Sequence, residues 1–299
     1  MNQKIREAAL GAGIPLIGFC TPQIDTRTKN AFQNWLETGM HADMAYLHKT
    51  RNTRRVIEEF LPGQKSVIIC GFPYPAVESK HVVSYALIND YHALLHEKLE
   101  TFCLYLTKAF SGIKTKVFID TLPVLEKVYA SKAGLGCIGK NTLLLSKKYG
   151  SRLFLGGIMT DLEIEHDGPE KWDPCGSCRK CIDACPTRAL DAYVLDARKC
   201  ISYHTIENKG EIPEDITEKM GEMVYGCGIC EKVCPWNNKN TVVPGWDVYE
   251  DLANADVETL KILAGESFKK HFGKTPVYHS GKRVFLRNIV IAVANKARQ

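Results

Sequence analysis

The sequence lacks any apolar run long enough to cross a lipid bilayer. Its longest runs, such as SVIIC and IVIAVA, fall far short of the ~20 residues that a membrane-spanning helix needs. The first residues, MNQKIREAALGAG, have the pattern of an amphipathic helix and lack the apolar core of a signal peptide. We therefore expect a soluble globular protein of the cytoplasm, with no membrane partner.

A strong net charge is also missing, because the formal charge of the 299 residues is only +5. The charge is unevenly distributed, since residues 48–55 and 268–288 are basic and residues 207–222 are mostly acidic. A charged run is most often a solvated face, although a basic run can also bind nucleic acid. The charge pattern by itself leaves both interpretations open.

Cysteine, in contrast, is abundant. The chain has 12 cysteines, and disulfides are disfavoured in the cytosol, so clustered thiols indicate metal or redox chemistry. Four of them stand alone in the sequence and fit small buried apolar side chains: Cys20, Cys70, Cys103 and Cys137.

The hydrophobic pattern predicts an α+β fold in three parts. Residues 1–165 alternate helical and extended patterns, with a buried strand predicted at 66–74 and a helix over 85–110, which is typical of an α/β domain. A predicted strand at 116–120 ends in Asp120, and a predicted helix over 122–134 follows it and stops at Gly134. Residues 166–240 form the cysteine-rich part, and residues 241–299 are predicted to be a basic helical segment.

Two similar cysteine motifs lie in the middle part, and the second lacks a cysteine. The first motif, CGSCRKCIDACP, begins at Cys175, and the second, CGICEKVCP, begins at Cys227. In bacterial ferredoxins, C-x2-C-x2-C supplies three ligands of one 4Fe-4S cluster, and the cysteine before proline binds the other cluster of the pair. The second motif supplies one ligand too few for its cluster.

Cys200 is the remaining cysteine of this region, so we predict that it is the displaced ligand. The spacing then gives two ligand sets: Cys175, Cys178, Cys181 and Cys234 for one cluster, and Cys185, Cys200, Cys227 and Cys230 for the other. A zinc ribbon is the competing interpretation, and two C-P endings among eight cysteines disfavour it. Two neighbouring clusters would form a path for electrons to a site elsewhere in the chain.

Several longer segments resemble the epoxyqueuosine reductase family over nearly the whole chain, from GIPLIGFC to FLRNIVIAVAN. They extend beyond the cysteines that generic ferredoxins share, and comprise DYH (90–92), DTLPVLEKVYASKAGLGCIGKNTLLL (120–145), GSRLFLGGI (150–158), CISYHTIENKGEIP (200–213) and the two cysteine motifs.

The resemblance implies a cobalamin-dependent oxidoreductase that completes queuosine synthesis on tRNA. The reaction would convert the epoxide of epoxyqueuosine at the wobble position to an alkene, with loss of water. The first domain would resemble the corrinoid-binding domains of reductive dehalogenases and of the cobalamin-processing chaperone, and the middle part a bacterial ferredoxin. This chemistry takes two electrons and two protons, so the site needs a low-potential donor and a positioned acid.

The resemblance assigns the proton donor to Asp120. An ordinary aspartate is ionised at neutral pH, so acid catalysis would require burial against the corrin ring. From the residues alone, the N-cap of the following helix is the better interpretation of Asp120, and the resemblance reverses this preference.

Matching positions also predict the binding residues for both partners. For cobalamin they are Arg54, Val83, Asp120, Asn141, Leu144, Leu155 and Gly228. The sequence lacks a D-x-H-x-x-G motif, so we expect base-off cobalamin without a protein ligand to cobalt. For the tRNA anticodon loop they are Ser202, Lys209, Ile212 and Pro213, and charge attraction to the tRNA would come from Lys269, Lys270, Lys282, Arg283 and Arg287.

Two other functions remain open at this point. One is a corrinoid and iron-sulfur reductase of a small molecule, similar to a dehalogenase, and the other is a ferredoxin-type electron carrier. For the favoured enzyme we expect a monomer that receives electrons from an external flavodoxin or ferredoxin.

Overall fold

A computed structural model describes residues 1–55, 57–120, 122–238 and 243–298, and the side chains of residues 53, 55 and 58 are left out of the description. The chain divides into two compact units. Unit 1 comprises Met1–Pro73 and His92–Cys178, and unit 2 comprises Tyr74–Tyr91 and Arg179–Gln299. The predicted division after residue 165 stays a prediction, and the predicted boundary between residues 240 and 241 lies outside the described residues.

Unit 1 is built on a four-stranded antiparallel sheet, whose strands are β1 (Leu16–Cys20), β2 (Ser66–Pro73), β3 (Thr115–Ile119) and β6 (Leu153–Thr160). Their order in the sheet is β1-β2-β6-β3. Every residue of β2 is buried, as expected for the apolar run SVIICGFP at the centre of a sheet. The neighbouring strand β6 approaches closely at Gly157, where a Cβ atom would lie 2.2 Å from the carbonyl oxygen of Ile68. Two further short strands, β4 (Cys137–Ile138) and β5 (Leu144–Leu145), pair with each other.

Helices pack beside this sheet. Asp25 begins α2 by accepting a hydrogen bond of 2.9 Å from the backbone N–H of Thr28, which satisfies a free donor of the first turn. The α-helices are α1 (Asn2–Gly11), α2 (Thr26–Glu37), α3 (Ala45–Lys49), α4 (Arg51–Arg55), α5 (Tyr91–Ala109) and α6 (Glu126–Lys132). A 3-10 helix covers Ile57–Glu59.

Unit 2 combines the cysteine motifs with a helical C-terminal region. Its elements are α7 (Lys180–Asp183), β7 (Leu190–Asp191), β8 (Val194–Leu195), α8 (Ile201–Ile206), α9 (Glu214–Thr217), α10 (Ile229–Lys232), α11 (Glu250–Asn254), α12 (Val257–Phe272) and α13 (Lys282–Lys296). Its 3-10 helices cover Ser84–Ala86, Ala197–Lys199, Glu218–Met220, Pro235–Asn237 and Pro276–Ser280.

An aromatic cluster forms the core between α12 and α13. The ring centroids of Phe272 and Phe285 lie 4.9 Å apart, and those of Phe268 and Phe272 lie 5.2 Å apart. The buried Asn288 on α13 donates hydrogen bonds of 2.8 Å to the carbonyl oxygens of Thr205 and Val224. These bonds fix α13 against the segment that carries the second cysteine motif.

The structure confirms the α+β class and the helical C-terminal region, and it shortens two predicted helices. The predicted helix at 85–110 begins only at Tyr91, and the one at 122–134 is reduced to Glu126–Lys132. Pro123 disfavours helical geometry at the residue before it, which delays the start of α6. Gly134 follows the end of α6 with a φ of +74°, as predicted for a helix stop.

Within the described residues, no helix is both long enough and apolar enough to cross a membrane.

Candidate active site and metal centres

Asp120 lies on a turn directly after β3, which ends at Ile119. Its φ of +31° is unusual for a residue with a side chain, although aspartate and asparagine tolerate positive φ best. Its Oδ2 atom lies 3.2 Å from Nε2 of His92, and its side chain is 61% exposed. The turn therefore presents a carboxylate at the end of the sheet, with an imidazole beside it.

The alternative role of Asp120 as a helix cap is wrong. Helix α6 begins at Glu126, and its N-cap residue is Leu125, which makes no side-chain cap. Asp120 precedes the helix by six positions and contacts His92 instead.

Glu126 is a second carboxyl group close to this turn. It is half-buried on the first turn of α6, and loss of hydration raises its pKa to about 8. The negative charge of Asp120 adds to this rise, whereas Arg54 and Lys127 oppose it. Glu126 therefore holds a proton near neutral pH, within the electrostatic reach of Asp120.

The predicted cobalamin contacts of unit 1 lie in or near α4, β5 and β6. Arg54 donates to Thr50 Oγ1 at 3.0 Å and to the carbonyl oxygen of Val124 at 3.3 Å, so it is held beside the segment that leads into α6. Leu144 is buried, and Leu155 on β6 is partly buried against the same apolar cluster. Asn141 is buried shortly before β5.

The predicted cobalamin contacts of unit 2 lie next to each other. Gly228 has a φ of +69°, and a Cβ atom there would approach Val83 Cγ2 to 2.9 Å. Val83 donates its backbone N–H to the carbonyl oxygen of Tyr225 at 2.9 Å. Glycine is required at position 228 because of both its φ and its closeness to Val83.

Unit 2 brings four cysteines of the predicted second set together. Burial raises the pKa of the Cys200 thiol, and the nearby Cys185 raises it further. Burial also raises the pKa of Cys227 to about 11 and that of Cys230 to about 12, with added repulsion from Cys200 in both cases. The thiols of Cys185, Cys227 and Cys230 are thus each within charge range of Cys200, although Cys200 lies outside both motifs.

Such a cluster of half-buried thiols fits an iron-sulfur cluster. Buried thiolates repel one another, and the positive iron ions of a cluster offset this repulsion. Backbone N–H groups support the thiols as well, since Ala189 donates to Cys185 Sγ at 3.3 Å. In the other predicted set, Cys181 lies near enough to raise the pKa of Cys230.

Two family models match this chain. One, described as a 4Fe-4S double cluster binding domain, matches residues 174–237, and the other, described as Epoxyqueuosine reductase QueG, DUF1730, matches residues 54–121. The curated epoxyqueuosine reductase of Synechocystis sp. is 38% identical over 252 residues, which cover 80% of this chain and 86% of that protein. The chain belongs to the epoxyqueuosine reductase family.

Another relative confirms this membership over almost the full length. The epoxyqueuosine reductase of Cyclobacterium marinum is 35% identical, and the match covers 96% of this chain and 95% of that protein.

Solved structures agree with the family. A crystal structure of epoxyqueuosine reductase with a tRNA-Tyr epoxyqueuosine-modified tRNA stem loop has a TM-score of 0.87 at 28% identity, covering 98% of this chain and 81% of that chain. A catabolic reductive dehalogenase, 16% identical, has a TM-score of 0.50 over 99% of this chain and 36% of that chain, which shows a shared fold.

In this member of the epoxyqueuosine reductase family, the 207–213 loop contains three of the predicted tRNA contacts, and two arginines of α13 bind its backbone. Arg287 on α13 donates to the carbonyl oxygens of His204 at 2.6 Å and Asn208 at 2.9 Å, and also to that of Gly210. Arg283 donates to the carbonyl oxygen of Lys209 at 2.6 Å. These arginines hold the loop from the side of α13.

The other predicted tRNA contacts differ in exposure. Lys209 donates its Nζ to the carbonyl oxygens of Ile206 at 2.9 Å and Ser280 at 3.2 Å. Partial burial, and then the charges of Arg287 and Arg283, lower the pKa of Lys209. Pro213 is exposed at the start of α9, whereas Ser202 and Ile212 are half-buried.

Sequence reasoning missed two side chains beside Asp120. His92 belongs to the DYH segment, but no pattern connects it to a residue 28 positions away. Glu126 reads as an ordinary helix-starting carboxylate, and only its half-buried position reveals the raised pKa.

Proposed function

We propose that this chain reduces the epoxide of epoxyqueuosine in the anticodon loop of tRNA to the alkene of queuosine, releasing water. The relatives carry this activity in their names, and one solved relative is bound to an epoxyqueuosine-modified tRNA stem loop. The observation that carries the mechanism is the exposed carboxylate of Asp120, 3.2 Å from His92 at the end of β3. Two electrons and two protons are needed for each epoxide.

Two 4Fe-4S clusters would deliver the electrons. The proposed ligands are Cys175, Cys178, Cys181 and Cys234 for one cluster, and Cys185, Cys200, Cys227 and Cys230 for the other. The close approach of the last four thiols in unit 2 supports the second set.

Cobalamin would be the cofactor that receives these electrons and supplies a low-potential reductant for the epoxide. A large, mostly apolar ring suits the apolar side chains of Leu144 and Leu155 among the proposed contacts, which also include Gly228. Arg54, Val83 and Asn141 complete the proposed set. We expect base-off binding without a protein ligand to cobalt.

Asp120 would donate the proton that allows the epoxide oxygen to leave. Its exposed side chain can reach a bound substrate, and a substrate and cofactor that cover it would favour its protonated form. His92 can return a proton to Asp120 through the 3.2 Å contact between them. Glu126 is protonated near neutral pH, so it adds no second negative charge beside Asp120.

The 207–213 loop, with Ser202 and Arg287, would bind the anticodon loop. The acidic character of this region favours backbone and apolar contacts to unstacked bases over phosphate contacts. The exposed Lys269 and Lys270 on α12, and Lys282 and Arg283 on α13, would attract the phosphate backbone.

The reaction also needs an external source of electrons. A low-potential flavodoxin or ferredoxin would reduce the clusters, and the enzyme would act as a monomer on tRNA in the cytoplasm.

An anaerobic assay tests the proposal directly. Purified protein with its cofactors is mixed with an epoxyqueuosine-containing anticodon stem loop and a chemical reductant, and the nucleoside product is identified by mass spectrometry. Conversion to queuosine supports the proposal. Stoichiometric corrinoid without conversion would favour reduction of a small molecule, and clusters without corrinoid would favour an electron carrier.

A further inference from the structure

The β4–β5 hairpin in unit 1 reaches the first cysteine loop through a single residue. The backbone N–H of Lys140 donates to Cys175 Sγ at 3.3 Å. The Nζ atom of the same residue donates to the carbonyl oxygens of Gly176 at 2.6 Å and Cys178 at 3.0 Å. Lys140 thus makes three bonds to a four-residue loop that contains two proposed cluster ligands.

Hydrogen bonds close the tip of this hairpin. Gly139 donates to the carbonyl oxygen of Leu143 at 2.8 Å, and Thr142 donates to that of Gly139 at 2.9 Å. A Cβ atom at Gly139 would lie 2.6 Å from Leu145 Cδ1, so a side chain there would crowd Leu145. The side chain of Asn141 also accepts the backbone N–H of Leu143 at 3.3 Å. Lys140 therefore lies on a turn that three hydrogen bonds close.

The cysteine loop also has hydrogen bonds of its own. Cys178 donates its N–H to the carbonyl oxygen of Cys175 at 2.7 Å, and Cys175 donates its N–H to Asp173 Oδ1 at 2.9 Å. The same N–H group, followed by that of Gly176, lowers the pKa of Asp173, so Asp173 is anionic next to the loop. The positive ammonium group of Lys140 attracts the carboxylate of Asp173, which also lowers the pKa of Asp173.

An iron-sulfur cluster becomes more negative when it accepts an electron. Hydrogen bonds to its sulfur ligands and nearby positive charge stabilise the reduced form, which raises the reduction potential. Lys140 supplies both effects, because its backbone donates to a proposed ligand sulfur and its ammonium group lies at the carbonyl oxygens of the same loop.

We infer that Lys140 is a positioning residue for the cluster bound by Cys175 and Cys178, and that it raises the reduction potential of that cluster. The inference rests on the proposed ligand set and is independent of the role of Asp120. Lys140 would ease reduction of this cluster by the external donor.

Lys140→Met tests the inference because it removes the charge and the Nζ donor while keeping the length of the side chain. In an anaerobic potentiometric titration followed by paramagnetic resonance, one of the two midpoint potentials should fall while the other stays unchanged. We expect the ratio of reduced to oxidised cluster at a fixed potential to fall about tenfold, which is about 59 mV for one electron. Lys140→Arg restores the charge and should return the ratio to within about twofold of wild type.

Lys116→Met is the matched control. It removes one exposed lysine charge from β3 of the same unit, a strand that carries neither the hairpin nor the cysteine loop, and it should leave both midpoints unchanged. Wild-type midpoints in Lys140→Met, or an equal fall of both midpoints, would overturn the inference.

Iron analysis separates a change of potential from a loss of the cluster. If Lys140→Met loses iron, Lys140→Gln takes its place, because the amide can still donate to a loop carbonyl without carrying a charge. Unchanged midpoints in a fully loaded Lys140→Gln protein would also overturn the inference. Failure of the wild-type protein to bind two clusters would instead reject the proposed ligand sets.

Discussion

His92 Nε2 lies 3.2 Å from Asp120 Oδ2, so an imidazole at the start of α5 contacts the carboxylate that follows β3. The two side chains come from different elements of unit 1 and meet at the end of its sheet. A carboxyl group that donates a proton must recover one before the next turnover, and imidazole exchanges protons readily near neutral pH. The contact therefore connects the proposed donor to a source of protons.

Asp120→Asn should abolish proton donation while preserving the fold. Asparagine tolerates the φ of +31° as well as aspartate does, so the turn should keep its shape. We expect the single-turnover rate of epoxyqueuosine reduction by pre-reduced enzyme to fall about 10²- to 10⁴-fold. Cofactor content and tRNA affinity should remain those of wild type.

Single turnover with pre-reduced enzyme is the appropriate measurement because it bypasses the supply of electrons. A wild-type rate in Asp120→Asn would remove Asp120 from the mechanism and leave water or a substrate hydroxyl as the proton source.

Cys200→Ser should cost the protein one of its clusters. The Cys200 thiol lies within charge range of Cys185, Cys227 and Cys230, so its loss removes one corner of the proposed second set. Iron per chain should fall by about half, and the paramagnetic resonance signal of one reduced cluster should disappear.

Cys103→Ser is the control for this loss. Cys103 lies in unit 1 with its Sγ atom 3.1 Å from Thr115 Oγ1, away from the cysteine motifs in the sequence. The Cys103→Ser protein should retain both clusters. Full iron content in Cys200→Ser would show that the displaced-ligand assignment is wrong.

Glu126→Gln should change how stability depends on pH. The pKa of Glu126 is about 8 in the folded protein and near 4.5 in an ordinary carboxyl group, so the folded state binds this proton more tightly than the unfolded state. The stability contributed by the proton is complete below about 4.5 and is lost as the pH rises towards 8.

The free energy of unfolding of wild type should therefore fall relative to that of Glu126→Gln between these two pH values. The slope of the difference is at most about 1.4 kcal/mol per pH unit, and the difference should level off above pH 8. Denaturant titrations of both proteins at a series of pH values measure it. Parallel stability curves would contradict the raised pKa.

Arg287→Ala should loosen the 207–213 loop. Arg287 donates to three carbonyl oxygens of residues 204–210, so its removal should speed amide hydrogen exchange in this segment. Binding of the modified stem loop should weaken as a result. Because Arg287 acts through the loop, the salt dependence of binding should change little.

The double variant Lys269→Ala with Lys270→Ala provides the contrast. Both lysines are exposed on the last turn of α12, and removing a lysine that pairs with a phosphate should reduce the log-log salt slope by about 0.7 to 0.9. Hydrogen exchange of the 207–213 loop should stay unchanged. An unchanged salt slope would place the docking surface for the tRNA backbone elsewhere.

Local sequence patterns determined the chemistry of the cluster region. The spacing of Cys175, Cys178 and Cys181 predicts cluster ligands because residues this close in sequence can surround one metal site in a compact loop. The missing ligand could be assigned to Cys200 by counting, and the structure brings this thiol to its proposed partners. The apolar pattern also located β2 and the C-terminal helices.

Tertiary structure alone decided which distant residues act together. His92 and Asp120 are 28 positions apart, Lys140 and Cys175 are 35 apart, and Arg287 and Asn208 are 79 apart. Local periodicity reports only on neighbours along the chain, whereas these pairs depend on how strands and helices pack. The raised pKa of Glu126 has the same origin, because its neighbours Asp120 and Arg54 and its loss of hydration arise from folding.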